Sequence, residues 1–283
     1  MFNNSGILFV LKLSNEKLMK MKKILYLSFL FFLAACSTVP LTNRKQFIAI
    51  PSSEMLSLSN QNYNAVLGQS TLSTNASYQQ AVNRVGKRIS AAVEEYLGQI
   101  GRKELINGYE WEFNVIKDES LNAWCMPGGK IVFYEGIMPV CENDNGIAVV
   151  MSHEVAHAVA KHSNERLSQE MALQMGGMAL SQALKEKEEQ TRNLALAAFG
   201  VGSQLGVILP YSRSHETEAD ELGLYFMAMA GYDPSGAPVF WERMQSAGQG
   251  GVPEFLSTHP NPENRIQHLK QIMPKALEFY NNR

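Results

Sequence analysis

The 283-residue sequence predicts an α+β fold, mostly helical, with a small β-sheet. Three observations carry that expectation. Tyr78, Val82, Val85, Ile89, Val93 and Tyr96 recur at helical spacing. Apolar residues alternate with polar ones at Trp111, Phe113 and Val115, and two apolar runs flank Pro127-Gly128-Gly129. From Asn145 onward, one helical stretch follows another.

Taken in order, residues 37–50 read as an extended tether, and Ser52 to Gly68 as a short helix. Ser77 to Leu97 is amphipathic, closed by Gly98 and Gly101. A strand follows at Trp111–Val115, then a hairpin with Asn122–Met126 and Lys130–Tyr134 as its arms. The next helix spans Asn145 to His162. Two more cover Glu165 to Glu189 and Thr191 to Leu209. The second is apolar but interrupted by Gly200, Gly202 and Gly206, short and broken for a membrane span. It reads as a helix packed over the site, with a membrane-dipping segment as runner-up. Ser212 to Ala230 is helical, Gly231 suits its C-cap, and Asp233-Pro234 starts another helix. Pro262-Glu263-Asn264-Arg265-Ile266 opens the last.

The N-terminus stands apart from the fold. Lys20, Lys22 and Lys23 precede an apolar run of 12 residues, Ile24–Ala35, too short to span a membrane as a helix. A basic cluster, a short apolar run and small residues at its end make a secretory signal over residues 1–35. Residues 1–18 fit no part of that pattern, so Met19 or Met21 is the more natural start. Leu33-Ala34-Ala35-Cys36 resembles the bacterial lipobox, which implies a lipidated Cys36 as mature N-terminus, residues 36–50 as its tether and 51–283 as one domain. Acyl chains would then make the membrane contact. Without residues 1–35, 20 basic and 26 acidic residues remain, net −6, which is no footprint for nucleic acid. Cys125 and Cys141 are expected as buried free thiols, with a disulfide as the alternative.

The chemistry concentrates in His153-Glu154-Val155-Ala156-His157. Two imidazoles four positions apart share one helix face and can share one metal, while the intervening Glu154 can reach a water on it. The preceding run Gly146 to Met151 is apolar, and Ala156, Val159 and Ala160 follow, so unpaired polar groups there would be costly. Ala160 and Ser163 stand where the metzincin pattern needs Gly and His, and His162 misses the ligand position by one, so it reads as a helix-end residue. The third ligand is sought among downstream carboxylates. Glu216, Ala219, Asp220, Gly223, Met227 and Ala230 form one narrow stripe, whereas Glu218 falls on the opposite face, expected to be solvated. Glu216 is therefore the expected ligand. Asp220 is placed to orient a ligating His, and Arg213 to pair with Glu216 or serve nearby.

Four segments in order carry a resemblance: Asn122-Ala123-Trp124-Cys125-Met126-Pro127-Gly128-Gly129, the His153–His157 helix, Ser212-Arg213 with Glu216 and Ala219-Asp220, and Thr258-His259-Pro260 with Arg265-Ile266. Together they resemble the zinc metallopeptidases of family M-forty-eight. That family includes CAAX prenyl endopeptidases, HtpX-type heat-shock proteases, mitochondrial Oma-type proteases and periplasmic lipoprotein relatives. The resemblance implies a gluzincin-type fold with the sheet beside the active-site helix, one zinc per chain on His153, His157 and Glu216, and endopeptidase activity. Trp124 and Cys125 depart from the smaller or aromatic apolar residues usual there.

Glu154 is then the expected general base, and Asn122–Gly129 the edge that pairs with extended substrate. His259 has two open roles: oxyanion donor, or a ligand in the fourth zinc position that keeps the enzyme latent. The expected partners are unfolded or misassembled envelope polypeptides and, through the lipid, the membrane at the periplasmic face, with the outer membrane the first choice. A latent chaperone or assembly factor that keeps the zinc site, and a membrane-embedded peptidase, are the alternatives.

Overall fold

The computed structural model describes residues 36–247, 254–259 and 262–282. The signal segment read at 1–35 lies outside these, as does the side chain of Cys36. A hairpin of β1 (Cys36–Thr38) and β2 (Lys45–Phe47) leads into α1 (Ser52–Gln69) and α2 (Ala76–Gln99). Then come β3 (Glu112–Ile116), β4 (Ala123–Met126) and β5 (Lys130–Tyr134), followed by α3 (Asp144–Val159). The C-terminal half is α4 (His162–Ala183), α5 (Glu189–Ser203), α6 (Leu209–Met229), α7 (Ala237–Ser246) and α8 (Pro262–Asn281). One-turn helices stand at Met138–Cys141 and Glu254–Thr258.

Helix α3 is the centre of the molecule. From Gly146 to Val159 every residue except His157 is buried. Asn143 starts it, accepting hydrogen bonds from the Asn145 and Gly146 amides. Helix α2 presents Val82, Val85, Ile89, Val93 and Leu97 to the core on one stripe, as its periodicity predicts. Asn75 caps it in the same way.

The sheet has order β3-β5-β4, with β3 parallel and β4 antiparallel to β5. The predicted hairpin is present. Its turn needs Gly128 and Gly129 because both adopt positive φ, 94° and 79°, where a side chain would be strained. The outer edge of β3 is occupied: the Gln79 side chain bridges Phe113 O and Val115 N, and the Ser73 amide donates to Val115 O. The other edge belongs to β4, which runs alongside α3. The Tyr134 amide donates to Asn122 O, so by antiparallel alternation Ala123 and Cys125 turn their backbone groups to that outer edge.

Several expectations are corrected. The helix predicted to run through His162 stops at Val159. Lys161 takes the left-handed conformation (φ 59°) and α4 begins anew at His162. Residues 37–50, read as a tether, form a docked hairpin with Val39 fully buried. The apolar stretch 194–209 does not pack over the site. Helix α5 has no buried residue, and Leu194, Val201 and Leu205 are exposed. It pairs instead with α4, where Phe199 lies against Gly176 and Gly177, and a π-helical turn, Gln204–Ile208, joins it to α6. Cys125 and Cys141 are buried free thiols.

The stripe on α6 does what its small residues suggest. A Cβ added at Gly223 would sit 2.9 Å from the His153 backbone nitrogen, so α6 can approach α3 this closely only through glycine. Gly223→Val should therefore force the helices apart. Overpacking of this kind costs about 1–3 kcal/mol, and we expect a lower Tm together with weaker metal binding. An unchanged Tm in thermal unfolding would show that the helices have slack at this contact.

Candidate metal centre

Helix α3 places His153 and His157 one turn apart with ring centroids 4.7 Å from each other and Nε2 atoms 3.1 Å apart. Helix α6 brings Glu216 to them: Oε2 is 3.4 Å from His153 Nε2, and Oε1 is 3.4 Å from His157 Nε2. His259, after the one-turn helix, puts Nδ1 3.0 Å from Glu216 Oε2 and 3.3 Å from His153 Nε2. One ligand atom from each of these four residues lies within 4.8 Å of the others.

This donor set fits zinc. With ligands about 2.0–2.1 Å from the ion, neighbouring corners of a tetrahedron lie about 3.3 Å apart, and the observed separations scatter around that value. The protonation states agree in part. Burial pushes His157 well below the usual imidazole range, as a neutral ligand requires. Glu216 is opposed by its burial, but His157, His153 and His259 hold it well below the usual carboxylate range. Burial also opposes a charge on His153, yet Asp220 and Glu216 outweigh it and lift this group to about 9. A metal would have to displace that proton, so binding should release it.

Each ligand is held from behind. His153 Nδ1 meets Asp220 Oδ1 at 3.0 Å. Arg265 donates to Asp220 Oδ2 at 2.6 Å and to Glu216 Oε2 at 2.8 Å, with its guanidinium 3.9 Å from the centroid of the Trp241 ring. Arg265 was visible in the sequence only as part of a matching segment. Its signal is charge balance: two buried carboxylates on α6 need a buried cation. Arg213, expected in that role, is exposed and makes no ion pair with Glu216.

The opposite face of α6 is not solvated as expected. Glu218 is buried and accepts hydrogen bonds from Thr42 Oγ1, Arg44 Nε and His162 Nε2. The N-terminal hairpin covers this face, and no local periodicity announces that. His162 is correspondingly more than a helix end, lying with Nδ1 2.9 Å from His157 Nδ1. Burial lowers it to about 4, so it is neutral. Next to it His215 stacks on the His162 ring at 4.2 Å and bonds Glu165, which also receives Arg44.

Glu154 completes the centre. It is buried, and burial raises it above the ordinary carboxyl range although His259 and His153 pull the other way. Its Oε1 is 3.5 Å from His259 Nε2 and has no hydrogen-bond partner among the described residues, so an acceptor is aimed into the site without a donor. Of the strand residues predicted to line the site, the Cys125 amide faces Glu154. Asn122 donates to Glu254. The turn points elsewhere: Pro127 O accepts from Ser59, while Gly128 O and Gly129 O accept from Glu110 and Glu112.

These contacts predict the effect of three changes on metal content. Glu216→Ala should lose zinc, Arg265→Met should bind it more weakly, and Arg213→Ala should match wild type. Metal analysis after gel filtration reads all three. Zinc loss in Arg213→Ala with retention in Glu216→Ala would overturn the ligand assignment.

Comparison with known proteins agrees with this geometry. Peptidase family M48 matches residues 83–273. The chain is 35% identical over 243 residues to the mitochondrial metalloendopeptidase OMA1 of Schizosaccharomyces pombe, covering 84% of this chain and 66% of that one. It is 32% identical over 268 residues to the Saccharomyces cerevisiae protein of the same name, covering 89% and 73%. A putative beta-barrel assembly-enhancing protease of Vibrio cholerae is 30% identical over 198 residues, 65% of this chain and 41% of its own. With a matched region spanning two thirds of its length and a His/His/Glu metal site on facing helices, the chain belongs to peptidase family M48.

Proposed function

We propose that this chain is a zinc endopeptidase of the bacterial cell envelope that cleaves unfolded or misassembled exported polypeptides. The observation that carries the chemistry is the unpartnered Glu154 carboxylate oxygen beside the four-residue ligand cluster. His153, His157 and Glu216 would hold the metal. Zinc in such a site supplies Lewis-acid chemistry, a more acidic water and a polarised carbonyl. Glu154 would be the residue that accepts a proton from the attacking water and returns it to the leaving amine. Its raised pKa brings it nearer the working pH, which suits a group that must both accept and donate. Extended substrate would pair with the outer edge of β4 at Ala123 and Cys125, a contact that reads main chain more than side chains.

His259 supports a latent state. With Nδ1 among the ligand atoms, it stands where a fourth ligand would, and so excludes substrate until it moves. This is also the observation that favours the reading of a weakly active assembly factor. Once displaced, the same imidazole is available to the oxyanion.

The envelope setting rests on the signal-like segment before Cys36 and on similarity to the putative beta-barrel assembly-enhancing protease of Vibrio cholerae. The α4–α5 hairpin adds a membrane-facing surface. Met171, Met175 and Met178 form an exposed stripe on α4, and Leu194 and Val201 on α5 continue into Leu205 of the π-helical turn as another. No charged residue occurs from Asn193 to Ser212. The continuous helix Glu189–Met229 is long and apolar enough to cross a membrane, and its apolar window is unburied. The hairpin base packs on β2, close in sequence to the proposed lipid site at Cys36. The charged tip, Lys185–Glu189, suits a hairpin lying along the membrane better than one crossing it.

Casein cleavage tests the chemistry. Glu154→Gln should keep its zinc and lose hydrolysis by at least the roughly 10²–10⁴-fold typical of a general base; activity within tenfold of wild type would remove Glu154 from this role. His259→Ala should raise casein cleavage or provoke self-cleavage. A fall of roughly 10²–10³-fold, the loss seen for one oxyanion donor, would instead make His259 a donor with no capping function.

Membrane attachment is read separately. Cys36→Ser should abolish lipid labelling and shift the protein from the membrane to the soluble fraction, more completely when Met175, Met178, Leu194 and Val201 are changed to Ser. An unmodified mature N-terminus elsewhere, found by mass spectrometry, would refute the lipid anchor.

A further inference from the structure

The metal centre has two supporting chains, and only one follows from the stripe on α6. His153 is backed by Asp220 and Arg265. On the other side a chain of contacts runs outward from His157: Nδ1 to His162 Nδ1 at 2.9 Å, His162 Nε2 to Glu218 Oε2 at 2.9 Å, and Glu218 Oε2 to Arg44 Nε at 2.8 Å. Arg44 lies in the turn between β1 and β2, 174 residues from Glu218. Its guanidinium also grips Glu165 at 2.8 Å, and Glu165 accepts from the Phe47 amide at 3.2 Å and from His215.

We propose that His162 and Arg44 are positioning residues for the zinc centre. His162 fixes the orientation of His157, and Arg44, on the N-terminal hairpin, fixes His162 through Glu218.

The hydrogen-bond roles follow in one direction only. His157 faces the ligand cluster with Nε2. As a neutral ligand it must therefore carry its proton on Nδ1, the nitrogen that faces His162. His162 accepts there and must then carry its own proton on Nε2, the nitrogen that faces Glu218. Glu218, ionised, accepts from His162, Arg44 and Thr42 at once. Every proton has one place, so the imidazole planes cannot turn without breaking a buried hydrogen bond. Groups that orient a ligating imidazole in this way typically govern metal affinity about 10–100-fold when removed. His215, stacked flat on His162, and Glu165 beside it hold the relay laterally. A second consequence is reciprocal. If the docked hairpin favours zinc, zinc must favour the docked hairpin by the same free energy.

The inference rests on the zinc reading above, and the experiment separates the two. The full chain, wild type and variants, is titrated with zinc against a competing chelator, and the absorption spectrum of the cobalt-substituted protein is recorded. His162→Ala should weaken zinc about 10–100-fold and alter the cobalt spectrum. His162→Gln should restore most of the affinity, because its amide can accept from His157 and donate to Glu218. Arg44→Met should weaken zinc in the wild-type background and add little to His162→Ala, since both changes cut one relay. Zinc should slow amide exchange across residues 37–47 of wild type but not of Arg44→Met. A wild type that holds zinc, with Arg44→Met and His162→Ala showing its affinity and cobalt spectrum, would overturn the positioning roles alone. A wild type that binds no zinc would overturn the metal reading with them. Where His162→Ala does not fold, Arg44→Met and the exchange measurement decide by themselves.

Discussion

Glu216 is a carboxylate kept ionised inside the protein, and the arrangement around it follows from that requirement. A buried charge is costly unless opposite charge and hydrogen bonds surround it. Arg265 supplies the charge, at 2.8 Å, and is itself buried against Trp241. The three imidazoles that turn nitrogens toward Glu216 supply the rest. The ring nitrogens of His153 and His157, 3.1 Å apart, repel one another once both are unprotonated, as neutral ligands are. A divalent cation resolves this, which is why the cluster reads as a metal centre and not as an ordinary salt bridge.

The fold serves this centre from both ends of the chain. The core helix α3 presents the two His ligands and Glu154, and α6 closes on it at Gly223. Arg265 arrives from the start of α8 and Arg44 from the hairpin that precedes α1. The sheet contributes an edge where Glu154 meets the Cys125 amide, so the substrate-pairing strand and the base share one hydrogen-bonding neighbourhood. Burial of Cys125 in that strand drives its thiol well above the usual range, so it is no competing nucleophile.

Local pattern made much of this legible. The helical pair at 153 and 157, the strand alternation at 111–115, the Pro-Gly-Gly turn and the small-residue stripe of α6 are short-range signals, and each falls where its spacing puts it. The misreadings share one cause. Helical spacing tells which residues lie together on a face, but not what covers that face. A stripe of small residues gives α6 one buried side and leaves Glu218 to solvent, yet Glu218 is buried. The β1–β2 hairpin buries the other, through partners 174 residues away. Arg213 lies on the same helix as Glu216, but the buried cation that reaches Glu216 is Arg265, 49 residues away in sequence. The stretch 194–209 was expected against the site because apolar residues usually seek a core. It lies outside, paired with α4, and its apolar stripe faces outward.

The most direct test of the centre is X-ray absorption at the zinc edge on the purified, zinc-loaded full chain. Four nitrogen or oxygen neighbours at about 2.0–2.1 Å, with outer-shell scattering from three imidazoles and one zinc per chain, is the result that His153, His157, Glu216 and a capping His259 require. Zinc with a sulfur neighbour at about 2.3 Å, or a chain that retains no zinc, would contradict it.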